Sequence, residues 1–172
     1  MRRHNAFHPI LTSVGEQKLK PAAARPSAKP PTASPEEYGE ECGGKGGVPY
    51  FSVSHGSGRV TKVTVWHRVY VDGIQLETDL GVLPRIGGTG LHHDVQRDTF
   101  SLATDEFIKG ITVVYWRYID RITFHTNKRD CGPYGGEGGL LKKRLMAPSG
   151  RVVVGFKGRH WELVDSIQLM VL

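Results

Sequence analysis

The chain has 172 residues, a length that accommodates one folded domain with an extension but hardly two domains. Its two cysteines are too few for a disulfide framework, and no stretch reaches the roughly 18 apolar residues of a transmembrane helix. The net charge of +6 suits an anionic partner or serves solubility alone, and composition does not choose between them.

The segment before residue 42 differs in composition from the rest of the chain. Prolines are frequent in it, most of them in the run KPAAARPSAKPPTASP, and no apolar periodicity is present. This composition is typical of a flexible linker or tail. We therefore predict a disordered extension over residues 1–41 and a folded domain over residues 42–172. The first residues lack the apolar run of a secretory signal, and the sequence leaves the compartment open.

Two short patterns then recur three times in alternation along the chain. The first is a glycine-rich loop, written GGKGG at 43–47, GGTG at 87–90 and GGEGG at 135–139. The second is a turn that ends in aspartate, written RVYVD at 68–72, WRYID at 116–120 and WELVD at 161–165. The spacing indicates three copies of a unit of about 45 residues.

Strand-like runs of Val, Ile, Thr, Tyr and Phe flank each turn. The first unit predicts strands at Pro49–Ser54 and Arg59–His67, joined by the turn HGSG, and the third predicts strands at Leu140–Met146 and Arg151–Phe156. No window has a helical period. Because copies of one unit must bury their inner faces against each other, we predict an all-β, three-sided prism of three sheets with a continuous apolar centre.

The aspartate turns are the candidates for chemistry. A fixed carboxylate accepts hydrogen bonds from sugar hydroxyls while neighbouring backbone amides donate to them, and a glycine loop lets a ring approach closely. Tyr70 and Tyr118 each precede such an aspartate by two residues and offer a ring face. An aspartate in a turn often only caps its own backbone. Three copies in step with three glycine loops favour a binding site.

Enzyme signatures are missing from the sequence. GGKGG lacks the Ser or Thr and the helix of a phosphate-binding loop, and His92 and His93 have no HExxH or CxxC companion. No nucleophile elbow or paired acids stand out. We predict no catalysis, no metal and no cofactor.

The glycine loops, the segment TNKRDCGPYGGEGG (126–139) and the ending VVGFKGRHWELVDSIQL resemble jacalin-related lectins of the mannose-binding type. The resemblance covers roughly residues 42–172. It implies a β-prism I fold of three Greek-key four-stranded sheets with pseudo-threefold symmetry. It also implies metal-independent binding of mannose- or glucose-containing glycans.

In that family the sugar lies between a glycine loop and a turn written GxxxD. The resemblance therefore assigns three carbohydrate-binding sites: Gly47 with Glu162, Leu163 and Asp165; Gly87 and Gly88 with Tyr70 and Asp72; Gly138 and Gly139 with Tyr118 and Asp120. Arg68, Trp116 and Trp161 stand where the family has glycine, and a bulky residue there is expected to resist the backbone conformation or to fill the pocket. The Asp165 site ranks first because its loop keeps the full GGxGG pattern.

The predicted partners are glycans, with a homo-oligomer or several sites supplying avidity, and neither nucleic acid nor membrane insertion is expected. An alternative stays open. The chain is then a β-prism module that has lost sugar binding and serves as a protein- or anionic-surface-interaction domain. Lys142, Lys143 and Arg144 would supply its basic surface.

Overall fold

The structure, a computed structural model, describes residues 33–47, 50–54, 56–88 and 94–172. In these ranges the chain forms strands and turns without a helix, so no helix there is long and apolar enough to cross a membrane. Most of the predicted disordered extension lies outside the described residues, as do His92 and His93. The strands are β1 (Glu36–Gly43), β2 (Tyr50–Ser54), β3 (Val60–His67), β4 (Val71–Thr78), β5 (Gly81–Val82), β6 (Ile86–Gly87), β7 (Gln96–Ser101), β8 (Ile108–Tyr115), β9 (Ile119–Thr126), β10 (Asp130–Gly135), β11 (Leu141–Met146), β12 (Val153–His160) and β13 (Val164–Val171).

The strands form three antiparallel sheets. Sheet A has the order β1-β13-β12-β2, and sheet C has the order β10-β9-β8-β11. Sheet B has the order β5-β4-β3-β7, with β6 also paired to β4. In sheets B and C a fourth strand returns to lie beside the first strand of the central hairpin, which is the Greek-key arrangement. Sheet A has the same spatial arrangement, but its outer strands β1 and β2 come from the start of the domain. The prediction of three Greek-key sheets of about four strands is confirmed.

The sheets do not coincide with the units counted along the sequence. The turn HGSG was predicted to join two strands of one unit, but β2 pairs with β12 in sheet A and β3 pairs with β4 in sheet B. The segment after β11 likewise leads from sheet C to β12 of sheet A. Turn composition does not distinguish a hairpin from a crossing between sheets, so this part of the prediction was wrong.

Sheet A begins before the predicted domain boundary at residue 42. β1 starts at Glu36, which pairs in register with Val171 of β13. Its sequence EEYGEECG resembles a polar tail because β1 is an edge strand with one well-buried side chain. Its carboxylates form ion pairs with other parts of the domain, as between Glu36 Oε2 and Nη1 of Arg151, just before β12, at 2.7 Å. Both ends of the described domain therefore close the same sheet.

The inner faces of the three sheets meet in one apolar core. Every second residue of the central strands points inward, for example Ile74 and Leu76 in β4 and Ile167 and Leu169 in β13. Aromatic rings join the sheets: the ring centroids of Phe124 and Phe156 are 6.2 Å apart, and those of Phe100 and Phe124 are 5.4 Å apart. The predicted continuous apolar centre is confirmed. Both cysteines, Cys42 and Cys131, are buried free thiols.

Candidate functional site

The three aspartate turns share one backbone geometry at the ends of the central hairpins. In each turn the amide of the first residue donates to the carbonyl of the third: Arg68 to Tyr70 at 2.9 Å, Trp116 to Tyr118 at 3.2 Å, and Trp161 to Leu163 at 3.1 Å. No non-glycine residue in the described ranges has a positive φ. Arg68, Trp116 and Trp161 therefore fit the turn without backbone strain, contrary to the expectation that they would resist it.

The glycine loops are fixed to the same turns in a threefold pattern. The second glycine of each loop donates its amide to the carbonyl of one aspartate: Gly44 to Asp165 at 2.8 Å, Gly88 to Asp72 at 3.0 Å, and Gly136 to Asp120 at 3.0 Å. The loop that serves Asp165 comes from the start of the domain, and each of the other loops follows its own aspartate along the chain. The structural repeat is thus a hairpin that carries the aspartate turn, followed along the chain by its glycine loop. In sheet A the hairpin lies at the end of the domain and its glycine loop at the start, so both ends of the domain together form the third copy.

The three aspartates carry buried carboxylates with unused hydrogen-bonding capacity. Asp72, Asp120 and Asp165 are 1%, 4% and 3% exposed, and the Oδ2 atom of each has no hydrogen-bond partner in the described residues. A buried unpaired carboxylate oxygen is unfavourable because it has lost its hydration. A ligand hydroxyl that donates to Oδ2 would restore the missing hydrogen bond.

Burial also changes the ionisation of two of these groups. It raises the pKa of the Asp120 and Asp165 carboxyls, and the backbone amides of Trp116 and Trp161 partly oppose this effect. Each group therefore binds a proton more readily in the folded than in the unfolded chain. Their ionised forms, which accept sugar hydroxyls best, carry a cost in stability at neutral pH.

We expect this cost to appear as a pH-dependent difference in melting temperature between the wild type and the double variant Asp120→Asn/Asp165→Asn. With a raised folded-state pKa, the stability lost on ionisation returns as the pH falls through that pKa. The double variant should therefore melt higher than the wild type at pH 7, and the gap should close toward pH 4. Thermal unfolding across this range provides the test, and a gap that widens on acidification would contradict it.

A cavity with a volume of about 850 Å³ lies at Asp165. Gly47, Glu162 and Leu163 line it together with Asp165, so the residues predicted for this site come together. A Cβ built on Gly47 would lie 2.6 Å from Asp165 Oδ2, and the φ of Gly47 is +71°. Any other residue at position 47 would be strained and would cover the carboxylate. The amides of Glu162 and Leu163 donate to no backbone or side-chain acceptor among the described residues, which leaves two donors.

Two tryptophans form exposed walls of the Asp165 cleft. Trp161 is 66% exposed and Trp116 is 52% exposed, and both line the cavity without filling it. The sequence pattern had indicated obstruction by these residues and gave no prediction of walls lining an open cleft. A signal was present, since a tryptophan that opens an exposed turn has no core to fill. Tyrosine and tryptophan faces stack on the apolar side of sugar rings, as they do on other flat apolar surfaces.

The Asp120 site only partly matches its prediction. Cβ atoms built on Gly138 and Gly139 would lie 2.5 Å from Asp120 Oδ1 and 3.0 Å from Asp120 Oδ2, so the loop does lie on the carboxylate. Tyr118 lines the Asp165 cleft. Its ring packs edge-on against Tyr70, with centroids 5.5 Å apart. The two tyrosines predicted to flank separate sites instead contact each other.

At the predicted Asp72 site, the carboxylate forms an ion pair with the first side chain of its own turn. Arg68 Nη2 lies 3.2 Å from Asp72 Oδ1, and the Arg68 side chain is 19% exposed. Gly87 and Gly88 contact the Asp72 backbone as predicted, although residues 89–93 lie outside the described residues. The Arg68 guanidinium thus lies against the Asp72 carboxylate. That it keeps a sugar out of this position stays a prediction.

We expect Arg68→Ala to open this third site. The change removes the cation from Asp72 and should lower the free energy of unfolding by about 1–2 kcal/mol, because a buried carboxylate loses a partner. In exchange, the number of monosaccharides bound per chain in native mass spectrometry should rise by one. Arg97→Ala, which alters a cation elsewhere on sheet B, is the control and should leave the number unchanged. An unchanged number for Arg68→Ala would show that Arg68 is not the block.

The glycine loops also lock the three sheets together. A Cβ on Gly44 of sheet A would lie 1.9 Å from the carbonyl oxygen of Arg117 in sheet C. A Cβ on Gly136 of sheet C would lie 2.7 Å from the carbonyl oxygen of Val69 in sheet B, and one on Gly88 of sheet B would lie 2.4 Å from the carbonyl oxygen of Glu162 in sheet A. Each loop thus packs on the turn of the next sheet in a closed cycle, which we call the glycine interlock.

The donor chemistry of the site is that of amides and carboxylates. Within the ranges that the structure describes, no group of three or more His, Cys, Asp or Glu side chains is placed to hold a metal ion. The arrangement offers acceptors, donors and apolar ring faces at one end of the prism. These are the contacts that a polyhydroxylated ring requires.

Comparison with known proteins also relates this chain to carbohydrate-binding proteins. Residues 39–170 match the family described as the Jacalin-like lectin domain. The jacalin-related lectin Calsepa of Calystegia sepium is 33% identical over 87 residues, which make up 48% of this chain and 56% of that protein. The aligned part is thus a little more than half the length of that relative.

Solved lectin structures share the fold. Calystegia sepium agglutinin superposes with a TM-score of 0.69 at 23% identity, covering 81% of this chain and 97% of its own. The artocarpin–mannotriose complex superposes with a TM-score of 0.68 at 22% identity, covering 81% of this chain and 99% of its own. The β-prism I fold predicted from the sequence is confirmed by these superpositions.

Proposed function

The chain belongs to the jacalin-like lectin domain family of carbohydrate-binding, non-enzymatic proteins, and on this premise we propose that it binds mannose- or glucose-type glycans without a metal ion. The Asp165 cleft is the main site and the Asp120 site is the second. The Asp72 site stays closed by Arg68.

One observation carries this proposal. The Oδ2 atoms of Asp120 and Asp165 are buried beside a glycine loop and have no partner among the described residues. Folding has thus already dehydrated these carboxylates, and a bound hydroxyl would form a charge-assisted hydrogen bond without a further desolvation cost at the acceptor. Asp72 Oδ2 also has no partner among the described residues, but Arg68 is paired with the other oxygen of that carboxylate.

The choice of sugar rests on the relatives. Artocarpin was solved with mannotriose, and Calsepa lectin was solved in complex with a bisected glycan. In this chain, adjacent hydroxyls of a mannose or glucose ring would meet the Asp165 carboxylate and the amides of Glu162 and Leu163. The apolar side of the ring would face Trp161 or Trp116.

Each site offers few contacts, so we expect weak binding of single sugars and stronger binding of branched glycans that reach both open sites. A homo-oligomer would add to this avidity. That association, expected from the sequence, stays a prediction.

Tryptophan fluorescence provides a direct test. Trp116 and Trp161 line the Asp165 cleft, whereas Trp66 lies on sheet B beneath Arg85, whose guanidinium carbon is 3.8 Å from the ring centroid. Titration with methyl α-mannoside or mannotriose should shift the emission of the wild type and of Trp66→Phe. The shift should be lost in Trp116→Phe/Trp161→Phe.

The same titration with galactose and in the presence of EDTA completes the test. Galactose should give no saturable change, and the chelator should leave the mannose response intact. A response to mannose that EDTA abolishes would overturn the metal-free proposal. Equal silence toward mannose, glucose and galactose would favour a module that has lost sugar binding.

A further inference from the structure

The outer face of sheet C has an unbalanced charge. β8, β9 and β11 contain five Lys and Arg residues, and their one acidic residue is the buried Asp120. Elsewhere in the described domain, most lysines and arginines on strands face an acidic partner, such as Lys62 with Glu77 at 2.7 Å. On sheets A and B the strand cations thus have acidic partners among the described residues, apart from Arg97. On sheet C the exposed Asp130 of β10 pairs with His125, and three cations on the same face have no acidic partner among the described residues.

Strand register places three of these cations on the same side of the sheet. Lys142 is opposite Val114, and Val114 is opposite Arg121, so Lys142 and Arg121 share one row across three strands. Arg144 lies two residues beyond Lys142 on β11 and therefore points to the same side. From standard sheet geometry, Lys142 is about 10 Å from Arg121 and about 7 Å from Arg144, measured between backbones.

The intervening Lys143 is different. It lies opposite the fully buried Val113, on the side that faces the core, and it forms an ion pair with Glu40 of sheet A. By contrast, Lys142, Arg144 and Arg121 form no ion pair with any residue that the structure describes. In the basic run at 142–144, Lys142 and Arg144 thus point to the outer face of sheet C, whereas Lys143 is held in an ion pair within the protein.

We propose that this outer face of sheet C, defined by Lys142, Arg144 and Arg121, binds a linear sulfated polysaccharide. Sulfate groups along such a chain would meet the row of cations, with the arginines able to form two parallel hydrogen bonds to one sulfate. Arg121 Nε donates to the Gly136 carbonyl at 2.6 Å, which fixes the side chain and leaves its terminal nitrogens for the ligand.

Composition of the face favours this ligand over other polyanions. The residues between the cations are Val114, Thr112 and Thr123, and none of them is a Phe, Tyr or Trp that could stack on nucleic-acid bases. The ring of His125, in the next row, is held by Thr112 and Asp130. The exposed tryptophans that would anchor a membrane surface lie at the Asp165 cleft instead. Small polar and aliphatic side chains make a flat surface that suits the carbohydrate backbone of a sulfated chain.

The test measures binding of the full chain to immobilised heparin, the sulfated probe, at several salt concentrations. Lys142→Gln/Arg144→Gln should lose affinity roughly five- to tenfold, and its affinity should depend less steeply on salt. Lys143→Gln is the matched control on the same strand and should retain the wild-type affinity. Desulfated heparin should bind none of the three proteins.

Several results would overturn the proposal. One is an equal loss for Lys143→Gln, and another is equally tight binding of desulfated heparin. A third is an oligothymidine strand or phosphatidylserine-containing vesicles that bind as tightly as heparin with the same dependence on Lys142 and Arg144. Asp165→Asn should leave heparin binding unchanged, so failure of the neutral-sugar site and failure of this surface are separate outcomes.

Discussion

Asp165→Asn is expected to remove mannose binding from the main cleft and at the same time to stabilise the fold. Hydrogen bonds to a charged acceptor contribute about 1.5–3 kcal/mol, so affinity at this cleft should fall by about 10- to 100-fold. The unliganded protein should gain about 1 kcal/mol, because a neutral amide replaces a buried carboxylate whose pKa burial has raised. Isothermal titration with mannotriose and thermal unfolding measure the two effects.

Asp105→Asn is the control for this prediction. Asp105 is an exposed carboxylate whose pKa is held down by its hydrogen bond from Lys128, so its neutralisation should slightly destabilise the fold and leave sugar binding unchanged. The two variants should change stability in opposite directions. A general effect of losing one negative charge would instead change the stability of both in the same direction. If Asp165→Asn lowered the melting temperature and kept its affinity, the carboxylate would be a structural cap and the proposed site would be wrong.

Gly44→Ala is expected to destabilise the fold strongly. Its Cβ would lie 1.9 Å from the Arg117 carbonyl oxygen, and backbone atoms on a neighbouring sheet have little freedom to retreat. We expect a loss of about 3 kcal/mol or more in the free energy of unfolding. The melting temperature should then fall by about 10 °C. Because Arg117 lies in the turn that carries Trp116, the tryptophan emission should also change before unfolding begins.

Gly150→Ala separates the steric effect from backbone strain. Gly150 has a φ of +79° and open space around it, so alanine there meets conformational strain alone, of about 1–2 kcal/mol. A melting temperature for Gly44→Ala that matches that of Gly150→Ala would show that the sheets can separate at the glycine interlock. Chemical denaturation of both variants gives the free energies directly.

The features that could be predicted from the sequence are those that depend on short, repeated patterns. The glycine loops and aspartate turns recur at a fixed period, so the number of sheets and the pairing of Gly47 with Asp165 followed from pattern and resemblance. The start of β1 did not follow, because an edge strand buries one side chain and looks like a tail. The assignment of β2 and β3 to one unit failed for a related reason, since alternation specifies a strand but not its partner.

The side-chain partners at the sites could not be predicted from the sequence for a different reason. Whether a bulky residue at the start of a turn closes a pocket depends on where its side chain points. Arg68 turns onto Asp72 because a buried carboxylate attracts a cation four residues away, whereas Trp161 has no such partner and stays in solvent. Similarly, Lys142 and Lys143 are neighbours of the same type, and only strand register shows that they lie on opposite sides of sheet C.

The glycine interlock limits how the three sites can change over evolutionary time. Since each loop packs on the turn of the next sheet, an insertion or a larger residue at Gly44, Gly88 or Gly136 would disturb two sites and the junction between two sheets. A side chain at the start of a turn touches one site only. We therefore expect single sites to be lost more readily by substitution at that position, as proposed for Arg68 at Asp72, than by substitution in the glycine loops.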